Sequence, residues 1–83
     1  MKLRNAQNKL LRSGFVLEDA GDSRTELWIG VEGRNIRLYK EGETVSSFRV
    51  YGDEPDRPQY DEFYSFYTTS AAAAIRVARS SRR

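Results

Sequence analysis

Three stretches of the chain, TELWIGV, NIRLY and TVSSFRVY, alternate residue types at a spacing of two, and Trp28, Arg37, Tyr39, Arg49 and Tyr51 fall on the repeating positions. Period-two alternation is the signature of a strand with two unlike faces. A face that interleaves guanidinium and aromatic groups has three uses. Arginine forks pair with carboxylates while tyrosine and tryptophan anchor a protein interface. The rings can instead stack unpaired bases. In the third, purely structural use, cross-strand pairs stabilise the sheet by about 0.2 to 1 kcal/mol each. A second set of cations offers phosphate chemistry: Lys2, Arg4, Lys9 and Arg12 precede the first acid, and Arg76, Arg79, Arg82 and Arg83 follow the last. A third patch is YDEFYSFY, where Tyr60 and Tyr64 adjoin the acids Asp53, Glu54, Asp56, Asp61 and Glu62. That negative block repels phosphates, so its tyrosines suit a protein contact better than a nucleic acid.

Other chemistries drop out. The 83 residues include no cysteine and no histidine, which removes disulfides, thiolate metal sites and imidazole catalysis. The acidic block lacks the glycine and terminal glutamate of an EF-hand loop and reads as solvated. A paired-carboxylate hydrolase needs a cleft that so short a chain has little room to build. The expectation is therefore no enzyme, no catalytic residue, no metal and no cofactor. No apolar run approaches the roughly 18 residues of a membrane span and no leader pattern opens the chain, so a cytoplasmic protein is expected. Arginine outnumbers lysine 11 to 3, which suits bidentate recognition but is equally the mark of GC-rich coding.

The elements that must position these groups follow from periodicity. Leu3, Ala6, Leu10 and Leu11 recur at helical spacing, and Gly14 supplies the left-handed stop. GFVLED is a short strand and AGDS a turn. A two-residue loop at Glu32-Gly33 would set Ile29 opposite Ile36, Leu27 opposite Leu38 and Trp28 opposite Arg37, gathering the aliphatic residues on one face. Phe48 and Val50 join that face, whereas Val45 is out of phase and signals a bulge or longer loop. GDEPDRPQ is a loop. Tyr60, Phe63, Tyr64 and Tyr67 fit helical spacing, yet aromatic richness favours an extended segment over 62–67, with Phe63 and Phe66 completing the core. Thr69 or Ser70 then caps a helix whose stripe is Ala71, Ala74, Ile75 and Ala78. The fold class is α+β: an antiparallel sheet of three to four strands with an N-terminal and a C-terminal helix packed on one face, αβββ(β)α. Residues 1–83 form one domain, with 79–83 a frayed basic tail.

KLLRSGFVLEDAGDSRTELWI, a helix running into Gly-Phe, a strand, a glycine turn and a second strand, resembles the start of HicA-type toxin ribonucleases, which have a double-stranded-RNA-binding-like fold. The family's catalytic histidine follows the turn glycine, where this chain has Asp22, Ser23 and Arg24. The resemblance thus implies the layout of a binding module without ribonuclease activity. KLRNAQNKL followed by GF, and a late aromatic strand leading into AAIRVA, are similar to small bacteriophage and prophage proteins. Such proteins act as accessory factors, including inhibitors of host or defence proteins.

Together these readings predict a small non-enzymatic interaction module, with an unknown protein partner ahead of nucleic acid. Trp28, Arg37, Tyr39, Arg49, Tyr51, Tyr60 and Tyr64 are the candidate partner-binding residues. The alternative places Arg4, Lys9, Arg12, Arg76 and Arg79 on phosphates. A homodimer through the open sheet face would also bury Trp28.

Overall fold

The computed structural model describes residues 1–18, 21–30, 34–52 and 66–79. Two helices, α1 (Leu3–Arg12) and α2 (Ala71–Arg79), bracket five strands: β1 (Val16–Glu18), β2 (Thr25–Ile29), β3 (Arg34–Glu41), β4 (Thr44–Gly52) and β5 (Phe66–Thr68). The strands lie in sequence order, each antiparallel to its neighbour. Both helices pack on one face of this sheet. The α+β layout is the expected one, with five strands in place of three to four: β1 falls in the expected GFVLED strand, and β5, which overlaps the end of the expected extended segment, is the addition.

Local chemistry sets the helix ends. The Gly14 N–H donates to the Leu11 carbonyl and the Phe15 N–H to that of Leu10, at 3.1 and 3.0 Å, while Gly14 adopts φ 93°. This is the Schellman arrangement, completed by burial of both Leu10 and Phe15. At the other helix the Ser70 hydroxyl accepts the Ala73 N–H at 3.1 Å, so Ser70 rather than Thr69 is the cap. The first residues are tied to β4: the Val45 N–H donates to the Met1 carbonyl and the Leu3 N–H to that of Glu43, both at 2.8 Å.

The core is built from Trp28, Ile36, Leu38, Phe48 and Val50 beneath Ala6, Leu10, Ala71, Ala74 and Ala78. Here the expected hairpin register fails by one residue. Trp28 lies opposite Ile36 and Leu27 opposite Arg37, where the two-residue loop predicts Ile29 with Ile36 and Leu27 with Leu38. A one-residue slip exchanges the faces of a whole strand. Trp28, 1% exposed, and Glu26 therefore face the helices, while Leu27 and Ile29 are half-buried on the opposite side.

The indole carries the largest apolar area in the strand, and it fills the space beneath helices that present alanines. Its N–H is not stranded: it donates to Glu26 Oε1 at 3.2 Å, and Glu26 Oε2 accepts from Gln7 Nε2 of α1 at 2.8 Å. Lys40 Nζ lies 3.9 Å from the same oxygen. Glu26 thus satisfies the buried tryptophan and fastens α1 to the sheet.

The out-of-phase Val45 is explained by a bulge. Tyr39 pairs with Ser47 but Lys40 with Val45, leaving Ser46 as the extra residue, its hydroxyl donating to the Tyr39 carbonyl at 3.2 Å. Val45 is thereby turned into the core. Phe66 departs from expectation. It pairs with Val50 on the helix side but at the sheet edge, where it stays 37% exposed and closes little of the core. Phe63, like the rest of 53–65, lies outside the described residues.

Gly30 marks a close approach. A Cβ there would come within 2.7 Å of Phe15 Cε2 and 2.8 Å of the Arg34 carbonyl oxygen. The backbone oxygen cannot swing aside, so Gly30→Ala should cost about 1 to 3 kcal/mol, the usual penalty of overpacking, read as a lowered urea midpoint at unchanged m-value.

Asp22 organises the turn before β2. Its Oδ1 accepts the backbone N–H groups of Arg24 and Thr25 at 2.7 and 2.9 Å. The Arg24 N–H is the largest influence holding this carboxyl below the usual aspartate range; a desolvation penalty opposes it, and the Thr25 donors and the Arg24 charge add to the lowering. With the folded value depressed, the stabilisation is present above the ordinary aspartate range and is lost as pH falls through the lowered folded value. A carboxyl-carbon NMR titration should give Asp22 a midpoint below that of an unstructured aspartate.

Candidate functional site

Between the helices lies a groove of about 570 Å³. From α1 and its cap it takes Lys9, Arg12 and Ser13; from α2 it takes Ala72, Ile75, Arg76 and Arg79. The spacing explains the selection. On α1, Lys9 and Arg12 are one turn apart and both exposed, away from buried Ala6 and Leu10. On α2, positions 72, 75, 76 and 79 form a stripe beside the buried one of Ala71, Ala74 and Ala78. The first stripe faces the groove while the second lies on the sheet. Where α1 and α2 meet, the floor is apolar, from Ala72 and half-buried Ile75, and the rim carries four cations.

Among the described residues no carboxylate lines this groove. All four cations stand at or near the C-terminal turns of their helices, where the backbone dipole favours positive charge. That accounts for each cation singly. It does not remove their mutual repulsion across one concavity, which an anion in the groove would relieve. Of the residues predicted to meet phosphates, Lys9, Arg12, Arg76 and Arg79 are therefore brought together, while Arg4 is exposed on α1 outside the lining.

The opposite face of the sheet carries Arg37, Tyr39, Arg49 and Tyr51 on one side, as alternation predicts. Trp28 is not among them: the register places it in the core, so it is unavailable as a partner anchor, and its predicted pairing with Arg37 is replaced by one with Ile36. Arg37 and Arg49 are direct cross-strand partners, and Tyr67 of β5 extends their row. The Arg49 guanidinium carbon lies 5.1 Å from the Tyr51 ring centre and 5.7 Å from that of Tyr67. Arg37 donates to Thr25 Oγ1 at 3.1 Å and to the Tyr51 hydroxyl at 3.3 Å.

Two participants escape the sequence. Tyr67 belongs to an aromatic run that fits helical and extended spacing alike, so periodicity leaves its face undetermined. Ile75 reads as core and does pack against it, and the sequence does not show that it also lines the groove. Tyr60 and Tyr64, with the acidic block, lie outside the described residues. Among the described residues no cluster of acids could hold a metal ion and no helix is long and apolar enough to cross a membrane. No family model, curated protein or solved structure matches the chain.

Proposed function

We propose that the chain is a non-enzymatic interaction module that holds the phosphate backbone of a nucleic acid in the groove between α1 and α2. The observation that carries this reading is the convergence of Lys9, Arg12, Arg76 and Arg79 on one concavity to which, among the described residues, no acid contributes. It reverses the order expected from sequence. The protein-first reading loses Trp28 as an anchor, since that side chain is buried. A phosphate reading needs two helices lying side by side, and they do.

Duplex DNA carries a negative charge about every 1.7 Å along its axis, so a groove with cations on both walls meets several phosphates at once without reading a base. The apolar floor suits the sugar edge of the backbone. Absence of cysteine and histidine from the sequence, and the shortness of the chain, favour binding over chemistry.

The test is fluorescence anisotropy with labelled single- and double-stranded DNA and RNA at two salt concentrations. With four phosphates neutralised the slope of log K against log salt should approach about −3.6 on duplex DNA, a loss of about 100-fold in affinity between about 50 and 200 mM salt.

A further inference from the structure

The sheet ends on β1, which among the described residues pairs with β2 alone; no backbone hydrogen bond described outside that ladder reaches Val16, Leu17 or Glu18. All three are exposed, Val16 to 57% and Leu17 to 48%. An open edge is a template for another strand, and proteins commonly guard it with lysine, proline or a bulge. Val16-Leu17-Glu18 has none of these. Its two faces differ. Leu17 lies opposite Trp28 and shares the helix side of the sheet, while Val16 and Glu18, opposite Ile29 and Leu27, share the other. The helices leave Leu17 uncovered. Gln7 bonds to Glu26 of β2, which sets that flank of α1 toward β2, and Leu11, one turn further along the same flank, is 57% exposed. Leu11 and Leu17 thus stand on the same side of the sheet, toward its β1 end.

We infer that this edge pairs with the β1 edge of a second copy of the chain, antiparallel, about a two-fold axis at Leu17. The strand is its own complement in that register. Leu17 meets its counterpart on the helix side, and Val16 meets Glu18 twice on the other, so no like charges lie opposite. The neighbouring registers are worse. One centred on Glu18 opposes the two acids, and one centred on Val16 sets Leu17 against Phe15, which is buried. A shift by a single residue puts the helices of the two copies on opposite faces. Every neighbouring pair in the sheet is already antiparallel, so the register centred on Leu17 prolongs one regular ladder. A foreign strand finds one acid and no cation within β1 to select it by charge, whereas a second copy brings both the open edge and the matching leucine.

Two experiments test this pairing. In sedimentation equilibrium without nucleic acid, wild type should pass from monomer to dimer between about 1 and 100 µM. Leu17→Lys, which puts a charge on the axis, should raise the dissociation constant by about 30-fold or more, with a circular-dichroism melt showing that the variant is folded. The second reads the register directly, because the chain has no cysteine of its own. Under mild oxidation L17C should form a disulfide-linked dimer. V16C alone should not, since Cα atoms more than about 7 Å apart cannot be bridged, but V16C mixed with E18C should. The proposal is overturned if wild type stays monomeric throughout, if L17K dimerises undiminished, or if V16C links to itself as readily as L17C. It is also overturned if the groove variant R76E/R79E, rather than L17K, dissociates the dimer. Neither experiment contains an oligonucleotide, so failure here is separate from failure of the phosphate reading.

Discussion

Arg76→Glu with Arg79→Glu should reduce nucleic-acid affinity by more than about 100-fold at low salt, with a salt slope shallower by about one for each phosphate no longer neutralised. Both residues are exposed on the wall of the groove, so their reversal changes the field there without opening the core. Two cations are removed and two repelling charges take their place. A structural cost is expected and small: cations near a helix C-terminus are worth about 0.3 to 1 kcal/mol each, so the variant should melt slightly lower while remaining folded. The pair K9A/R12A acts from the other wall. It should weaken binding in the same direction, and if only α2 mattered it would have no effect. Agreement between the two pairs is what distinguishes a groove from a basic helix.

Trp28→Ala has the largest expected effect on stability. The side chain is the largest of the fully buried ones, and truncating a buried aromatic costs about 3 to 5 kcal/mol. Removing the indole N–H also leaves Glu26 Oε1 without its tryptophan donor. Small domains hold about 5 to 15 kcal/mol in total, so the variant should be largely unfolded or close to it at 37 °C. Urea unfolding followed by circular dichroism measures this, since the only tryptophan reporter is gone. Trp28→Phe, which keeps most of the volume, should recover much of the stability. If Trp28→Ala instead melted like wild type and impaired only binding, the register that buries Trp28 would be wrong and the surface reading of the sequence right.

Much of the fold is legible in the sequence because several elements carry self-contained signals. Gly14 and the flanking leucines define the end of α1 within six residues, and Ser70 followed by an alanine stripe defines the start of α2. Arg37, Tyr39, Arg49 and Tyr51 share a face because alternation within β3 and β4 puts them there once Ile36, Leu38, Phe48 and Val50 are taken as core. The phase of β2 is different. Leu27 and Ile29 in one phase and Trp28 in the other are both credible inward sets, and the choice depends on how much space the alanine-bearing helices leave above the strand. That is a tertiary quantity, invisible to periodicity. The groove is half legible for a similar reason: its cations stand in the sequence at helical spacing, but their convergence follows from the lateral packing of α1 on α2.

The proposal that the groove holds phosphates is tested most directly by titrating labelled duplex and single-stranded oligonucleotides into the wild-type chain and into R76E/R79E, at about 50 and about 200 mM salt. A groove that holds phosphates gives micromolar or tighter binding at the lower salt, a steep fall at the higher, and no comparable binding by the variant. Absence of binding at the lower salt, or binding that neither salt nor the substitutions weaken, would contradict it.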